Sequence, residues 1–371
     1  MEFTVRKADL VRELSLSQGV VEKKTTIPIL SNVLVNAAGD GIELTATDLE
    51  LGICCRCPAE VAREGTGTIP ARRLLEYVRL LPEADIHVKF AENHWASLLC
   101  GRSRTRIAGM SAESFPELPA MPDKLANIPA GVLSSLIVRT IFGISTEESR
   151  FTLSGALLLV KADRVVMVST DGHRLALCEK VMDLSDVETG YRALVPKKAM
   201  SELLKLFQEM GPEGNVEFGA DENHLFFRSG GRLLIARKLT GNFPDYERVL
   251  PTDQPHTVVL PGDEFRVAIE RVSQFADERS HAVRLRFMPG ELTLHSSLSD
   301  TGETEETLPV TYDGPKIEAG FNAHYIADFL RAVGEDKVSF KFRDAGSAGE
   351  LCPAGGESGY NYRYVVMPMR I

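Results

Sequence analysis

A chain of 371 residues has room for two to three domains, and 44% hydrophobic content is ample for globular cores throughout. A net charge of −10 excludes a protein whose whole surface binds nucleic acid, while leaving room for a local basic face. No apolar run reaches the roughly 18 residues of a membrane span, and the start has no apolar signal core. With six cysteines too sparse for a disulfide framework, the composition predicts a soluble, cytoplasmic protein in a reducing compartment.

In chain order, a helix-like segment runs from Ala8 to Gln18. Strand-like runs follow at Val33-Leu34-Val35-Asn36 and Ile42-Glu43-Leu44-Thr45, joined by the turn Gly39-Asp40-Gly41. Beyond Pro70, the residues Leu74, Tyr77, Val78 and Leu81 stand at i, i+3, i+4 and i+7, which predicts one buried helix face. The order then repeats. Pro129 introduces a helix from Ala130 to Phe142, Leu157-Leu158-Leu159-Val160 and Val165-Val166-Met167-Val168 flank the turn Ala162-Asp163-Arg164, and Pro196 precedes the stripe Met200, Leu203, Leu204 and Phe207. Pro261 opens a third copy from Gly262 to Ala276, and its stripe is Ile326, Phe329, Leu330 and Val333. Each stripe lies 126 residues after the one before.

Shorter matches agree. Leu30-Ser31 returns as Leu153-Ser154 and Thr47-Asp48 as Thr170-Asp171, both offset by 123. Glu92-Asn93-His94 returns as Glu222-Asn223-His224 and Gly101-Arg102 as Gly231-Arg232, offset by 130, and Phe115-Pro116 as Phe243-Pro244, offset by 128. Small loop insertions in a duplicated domain produce such drift. The pattern predicts an α+β protein of three repeated two-layer domains, helices on antiparallel sheet, over residues 1–120, 128–250 and 251–371.

The polar faces of the striped helices carry Arg72, Arg73, Glu76 and Arg79 in the first repeat and Lys197, Lys198, Glu202 and Lys205 in the second, a sum of +2 each. The third, with His324, Asp328 and Arg331, is near neutral. Such faces are either solvated or turned to a polyanion, and repetition favours the second. No aromatic residues interleave, which points to the backbone of a duplex rather than to stacked bases.

The segment Thr170-Asp171-Gly172-His173-Arg174-Leu175 carries a glycine suited to a tight turn and two polar residues that the repeat does not need. Apolar residues continue to the last position, so the terminus is predicted to be docked, with Met367 and Met369 as an adaptable lining. Cys54-Cys55-Arg56-Cys57 has a metal-like spacing but no second pair, and reads as strand cysteines; no metal site is predicted. No phosphate loop, dinucleotide fingerprint or nucleophile elbow is present.

The run Thr170-Asp171-Gly172-His173-Arg174-Leu175-Ala176, with Phe243-Pro244-Asp245-Tyr246 and the ending Val366-Met367-Pro368-Met369-Arg370-Ile371, resembles the bacterial sliding clamps, the beta subunits of DNA polymerase III, and the likeness covers essentially the whole chain. The resemblance implies the DNA-clamp fold and a head-to-tail homodimer closed into a ring of six similar domains. Helices would line a pore that admits double-stranded DNA without regard to sequence, and the clamp would hold the polymerase there for processivity, with no catalysis and no cofactor.

It also implies a groove between the second and third domains for a short peptide. Such peptides are carried by the polymerase III alpha subunit, the clamp loader, translesion polymerases, mismatch repair proteins and ligase. The expected lining is Leu153, Thr170, Gly172, His173, Arg174, Leu175, Pro244, Arg248, Val249, Val366, Met367, Pro368, Met369, Arg370 and Ile371, with Arg174 and the terminal groups fixing the peptide's polar ends. Lys24, Arg72, Lys197 and Lys198 are expected to face DNA, and the helix faces add Arg73, Arg79 and Lys205. The expected subunit interface holds Thr105, Ile107 and Phe275. Relatives often place a bulky apolar residue at Thr105, and losing one forgoes roughly 1.5–3 kcal/mol of burial.

Two rival readings are a hydrolase using His173 with Asp171 and a structural repeat protein that never meets DNA. The first lacks a nucleophile or metal cluster, and the basic helix faces disfavour the second.

Overall fold

Proline or asparagine sets the start of five of the six helices among the described residues of the computed structural model, which describes the chain except residues 22–25, 148, 186, 188–189, 299–301, 356–358 and 371. The six are α1 (Lys7–Val20), α2 (Ala71–Leu80), α3 (Ala130–Thr140), α4 (Lys197–Met210), α5 (Gly262–Val272) and α6 (Ala323–Val333). Asn322 caps α6, its side-chain oxygen accepting from the N–H groups of His324 and Tyr325 at 2.9 and 3.3 Å, and Gly334 ends it at φ 62°.

The predicted stripe of α6 is buried throughout. In α2 the buried set includes Leu75, with Tyr77 only half-buried, and in α4 Leu206 is buried while Leu204 is half-buried. A core-facing arc is wider than a four-residue stripe, so residues beside the predicted ones complete it. Glu202 is a further correction: it is 6% exposed rather than on the polar face, and a Cβ on Gly19 would overlap its carboxylate. The absent side chain of Gly19 makes room for that acid.

The chain forms two compact units, Met1–Ser134 with Lys198–Lys238, and Ser135–Lys197 with Leu239–Ile371. In the first, a five-stranded sheet runs in the order Glu60–Arg63, Glu2–Arg6, Asp85–Phe90, Trp95–Cys100, Ser103–Ala108. An eight-stranded sheet takes four strands from the first repeat and four from the second, joined where Arg232–Arg237 pairs with Leu51–Pro58 through Arg232↔Cys55 and Leu234↔Ile53. α1 lies on the strands Gly41–Thr47 and Leu51–Pro58 and beside α2. Its Glu13, 2% exposed, receives Arg232 at 2.7 and 2.8 Å and Arg12 at 2.8 Å, tying the helix of one repeat to a strand of the next.

The second unit follows the same plan. Its eight-stranded sheet joins second and third repeats where Arg174–Val181 pairs with Tyr360–Val366, from Arg174↔Val366 to Lys180↔Tyr360. A four-stranded sheet has the order Gly302–Pro309, Glu291–Leu298, Ala282–Met288, Ile317–Asn322, and α5 packs on it beside α6. Every strand pairing among the described residues is antiparallel. The six cysteines are free thiols and all stand on strands.

Candidate functional site

On one face of the second unit's long sheet, Leu157, Leu159, Leu175, Leu177 and Leu194 form a core that the returning segment around Phe243, Tyr246 and Val249 covers. The cover is incomplete. Leu153, Thr170, Gly172, Arg174, Leu175, Pro244, Tyr246, Val249 and Met367 enclose a cavity of about 130 Å³ whose walls are chiefly apolar.

The turn at its edge is built by side-chain capping. The Asp171 carboxylate accepts from the N–H groups of His173 and Arg174 at 2.9 and 3.0 Å, and Thr170 Oγ1 accepts from Gly172 N–H at 3.1 Å while donating to the Arg174 carbonyl at 2.6 Å. Gly172 has φ 90°, and a Cβ there would lie 2.9 Å from Nη1 of Arg150, which donates to the Asp171 carbonyl. Asp171 is thus committed to the turn, and no general acid–base pair with the exposed His173 is formed.

Arg174 lines the cavity and is held from within the chain. Nε donates to Asp171 at 3.0 Å, Nη1 to Asp328 at 2.7 Å and Nη2 to the Phe142 carbonyl at 2.7 Å, while the guanidinium lies over the Tyr325 ring at 4.3 Å. Burial alone would lower its pKa; Tyr364, Asp328 and Asp171 more than offset this and keep it protonated. With each nitrogen already donating within the chain, Arg174 braces the cavity wall.

The terminus is docked as predicted. Met367 N–H donates to the His173 carbonyl at 2.9 Å and Met369 N–H to Gly320 at 2.8 Å. Met367 lines the cavity, but His173, Arg248, Pro368, Met369 and Arg370 do not, and Val366 is fully buried in the sheet. Ile371 lies outside the described residues. Sequence reasoning missed Tyr246 as a wall, although its motif had been noted, and missed Phe142, Tyr325 and Asp328 as the holders of Arg174.

The basic side chains are largely compensated locally. Arg72 pairs with Glu76 at 2.7 Å, Lys205 with Glu202 at 2.7 Å, Lys198 with Asp48, and Arg79 donates to Ser15 at 3.1 Å. Arg73 is exposed and makes no ion pair among the described residues, Lys197 is half-buried at the start of α4, and Lys24 lies outside them. Of the expected interface residues, Thr105 is half-buried on the edge strand Ser103–Ala108, and Phe275 lies against Gly302 at the start of the edge strand Gly302–Pro309. Ile107 is 5% exposed, a correction: its side chain belongs to its own domain's core and offers a partner little surface.

Three helix-on-sheet repeats with long shared antiparallel sheets and a docked terminus define the class of DNA clamps. Models of the DNA polymerase III beta subunit match residues 1–119 (N-terminal domain), 127–245 (central domain) and 247–370 (C-terminal domain). The chain is 35% identical to a beta sliding clamp of Pseudomonas putida over the full length of both, and 32% identical to that of Chlamydia pneumoniae over 100% of this chain and 99% of the relative. The crystal structure of the DNA polymerase III subunit beta from Pseudomonas aeruginosa superposes with a TM-score of 0.93 at 33% identity, with both chains fully covered. A DNA polymerase sliding clamp from Bacillus subtilis gives 0.94 at 26%, covering 100% and 99%. The chain belongs to the family of DNA polymerase III beta subunits, the beta sliding clamps. It is a non-catalytic processivity factor whose partners are DNA and the polymerase. Among the described residues, no helix is long and apolar enough to cross a membrane.

Proposed function

We propose that two copies of this chain, each with domains at 1–120, 128–250 and 251–371, close head to tail into a ring around double-stranded DNA in the cytoplasm, and that the cavity beside Gly172 receives apolar anchors of partner peptides. The partners would be the polymerase III alpha subunit, the clamp loader, translesion polymerases, mismatch repair proteins and ligase.

Complementary strand edges support the ring. Ser103–Ala108 ends one sheet and carries Arg104 and Arg106; Gly302–Pro309 ends another and carries Glu303 and Glu305. Unpaired edges of opposite charge are suited to extending one sheet into a partner's. The acids hold only long contacts within the chain, to His295 at 3.8 Å and Arg286 at 3.9 Å. Arg72, Arg73, Arg79, Lys197, Lys198 and Lys205, with Lys24, would face the duplex. The local partners of Arg72, Arg79, Lys198 and Lys205 suit a clamp that must slide, since a closed ring is held by topology and needs little phosphate affinity.

The observation that carries the peptide reading is the small apolar cavity closed on one side by Met367 of the docked terminus. Deleting Met367 to Ile371 should abolish binding of a polymerase-derived peptide, measured by fluorescence anisotropy, and leave the thermal unfolding of the core in place. Unchanged affinity in the truncated protein contradicts the assignment.

A further inference from the structure

A second cavity, of about 410 Å³, adjoins the first and shares Pro244 and Tyr246 with it. Its floor is apolar, from Leu159 and Phe243, which are 9% and 5% exposed. Lys161 and Arg192 stand on its lip. Leu159 pairs with Arg192 across two strands, and Lys161 is two residues on, so the cations are diagonal neighbours on one face, about 7–8 Å apart at Cα.

Of the acids at this cavity, Asp245 pairs with Arg248 at 2.8 Å, outside the lining, and Glu247 accepts a long contact from the Tyr246 hydroxyl at 3.5 Å. Among the described residues the side chains of Lys161 and Arg192 form no hydrogen bond or ion pair, although the Asp163 carboxylate feels the charge of Lys161. Two free cations above an apolar floor, one side chain away from the candidate groove, form a continuation of that groove with a charge preference.

We propose that this cavity receives acidic residues flanking the apolar anchor of the same partner peptide, so that Lys161 and Arg192 select peptides with an Asp or Glu flank. The proposal rests on the groove reading above. An anchor seated beside Gly172 has Pro244 and Tyr246 to pass before its neighbours reach the two cations, and a carboxylate there replaces water around exposed charges at little desolvation cost.

The test uses full-length protein and three synthetic peptides with one Leu-Phe anchor: bare, with two glutamates at each end, and with two lysines at each end. Wild type should bind the glutamate peptide about three- to tenfold more tightly than the bare one at low salt, the scale of exposed ion pairs. Lys161→Glu with Arg192→Glu, both surface changes, should abolish that gain, transfer it to the lysine peptide and leave bare-peptide affinity unchanged. A glutamate gain that persists in the double variant overturns the inference and leaves the groove intact. Failure of wild type to bind any of the three overturns the groove reading and this inference with it.

Discussion

Leu49 and Gly172 occupy the same position in two copies of one turn, with φ of 78° and 90°. In the first copy the Asp48 carboxylate accepts from the N–H groups of Glu50 and Leu51 at 2.9 and 2.6 Å, and Thr47 Oγ1 from Leu49 N–H at 3.0 Å, the pattern that Asp171 and Thr170 repeat. A left-handed conformation costs a side chain about 1–2 kcal/mol, and at 50% exposure Leu49 recovers little of that by burial. In the second copy a glycine removes the strain and leaves room for the Arg150 guanidinium.

Substitutions at the two positions should therefore act in opposite directions. Leu49→Gly should leave stability unchanged or raise it by up to about 1 kcal/mol, relief of strain being partly offset by the flexibility of glycine when unfolded. Gly172→Ala should cost about 1–2 kcal/mol and displace Arg150, weakening peptide binding. Denaturant unfolding of both variants and anisotropy of the second check this.

Glu13 predicts an acid-sensitive point. Burial pushes its pKa up, but hydrogen bonds from Arg232 and Arg12 more than offset that, so it lies below the ordinary 4.5. A lowered folded-state pKa contributes stability above the unfolded value, and the contribution is lost as pH falls through the folded one. Glu13→Gln should cost about 3–5 kcal/mol at pH 7 by leaving Arg232 poorly paired, and the gap to wild type should narrow below pH 4.5. Urea melts at pH 7 and pH 3.5 measure it.

The strand edges make a prediction about assembly. Arg104→Glu with Arg106→Glu should weaken the dimer about 10- to 100-fold by placing like charges opposite Glu303 and Glu305. Adding Glu303→Lys and Glu305→Lys should restore it. Sedimentation equilibrium across a dilution series reads both, and a dimer indifferent to the reversal points to another interface.

Periodicity made the helices and the repeats legible because burial of one face leaves a mark at i, i+3, i+4 and i+7. The shared eight-stranded sheets left no such mark: pairing of Arg232 with Cys55, or of Arg174 with Val366, adds no period to either strand. Glu202 was placed on the wrong face because the glycine that admits it, Gly19, is remote in sequence. Gly172, Pro244 and Met367 could be read from motifs, but the engagement of Arg174 by Asp328 joins residues 154 apart, and only the folded chain brings them together.

The central claim is a closed ring threaded by DNA. Protein loaded onto a nicked circular plasmid by a clamp loader should stay bound through a high-salt wash and be lost when the plasmid is linearised. Release by salt from the circle, or retention after cutting, contradicts topological linkage.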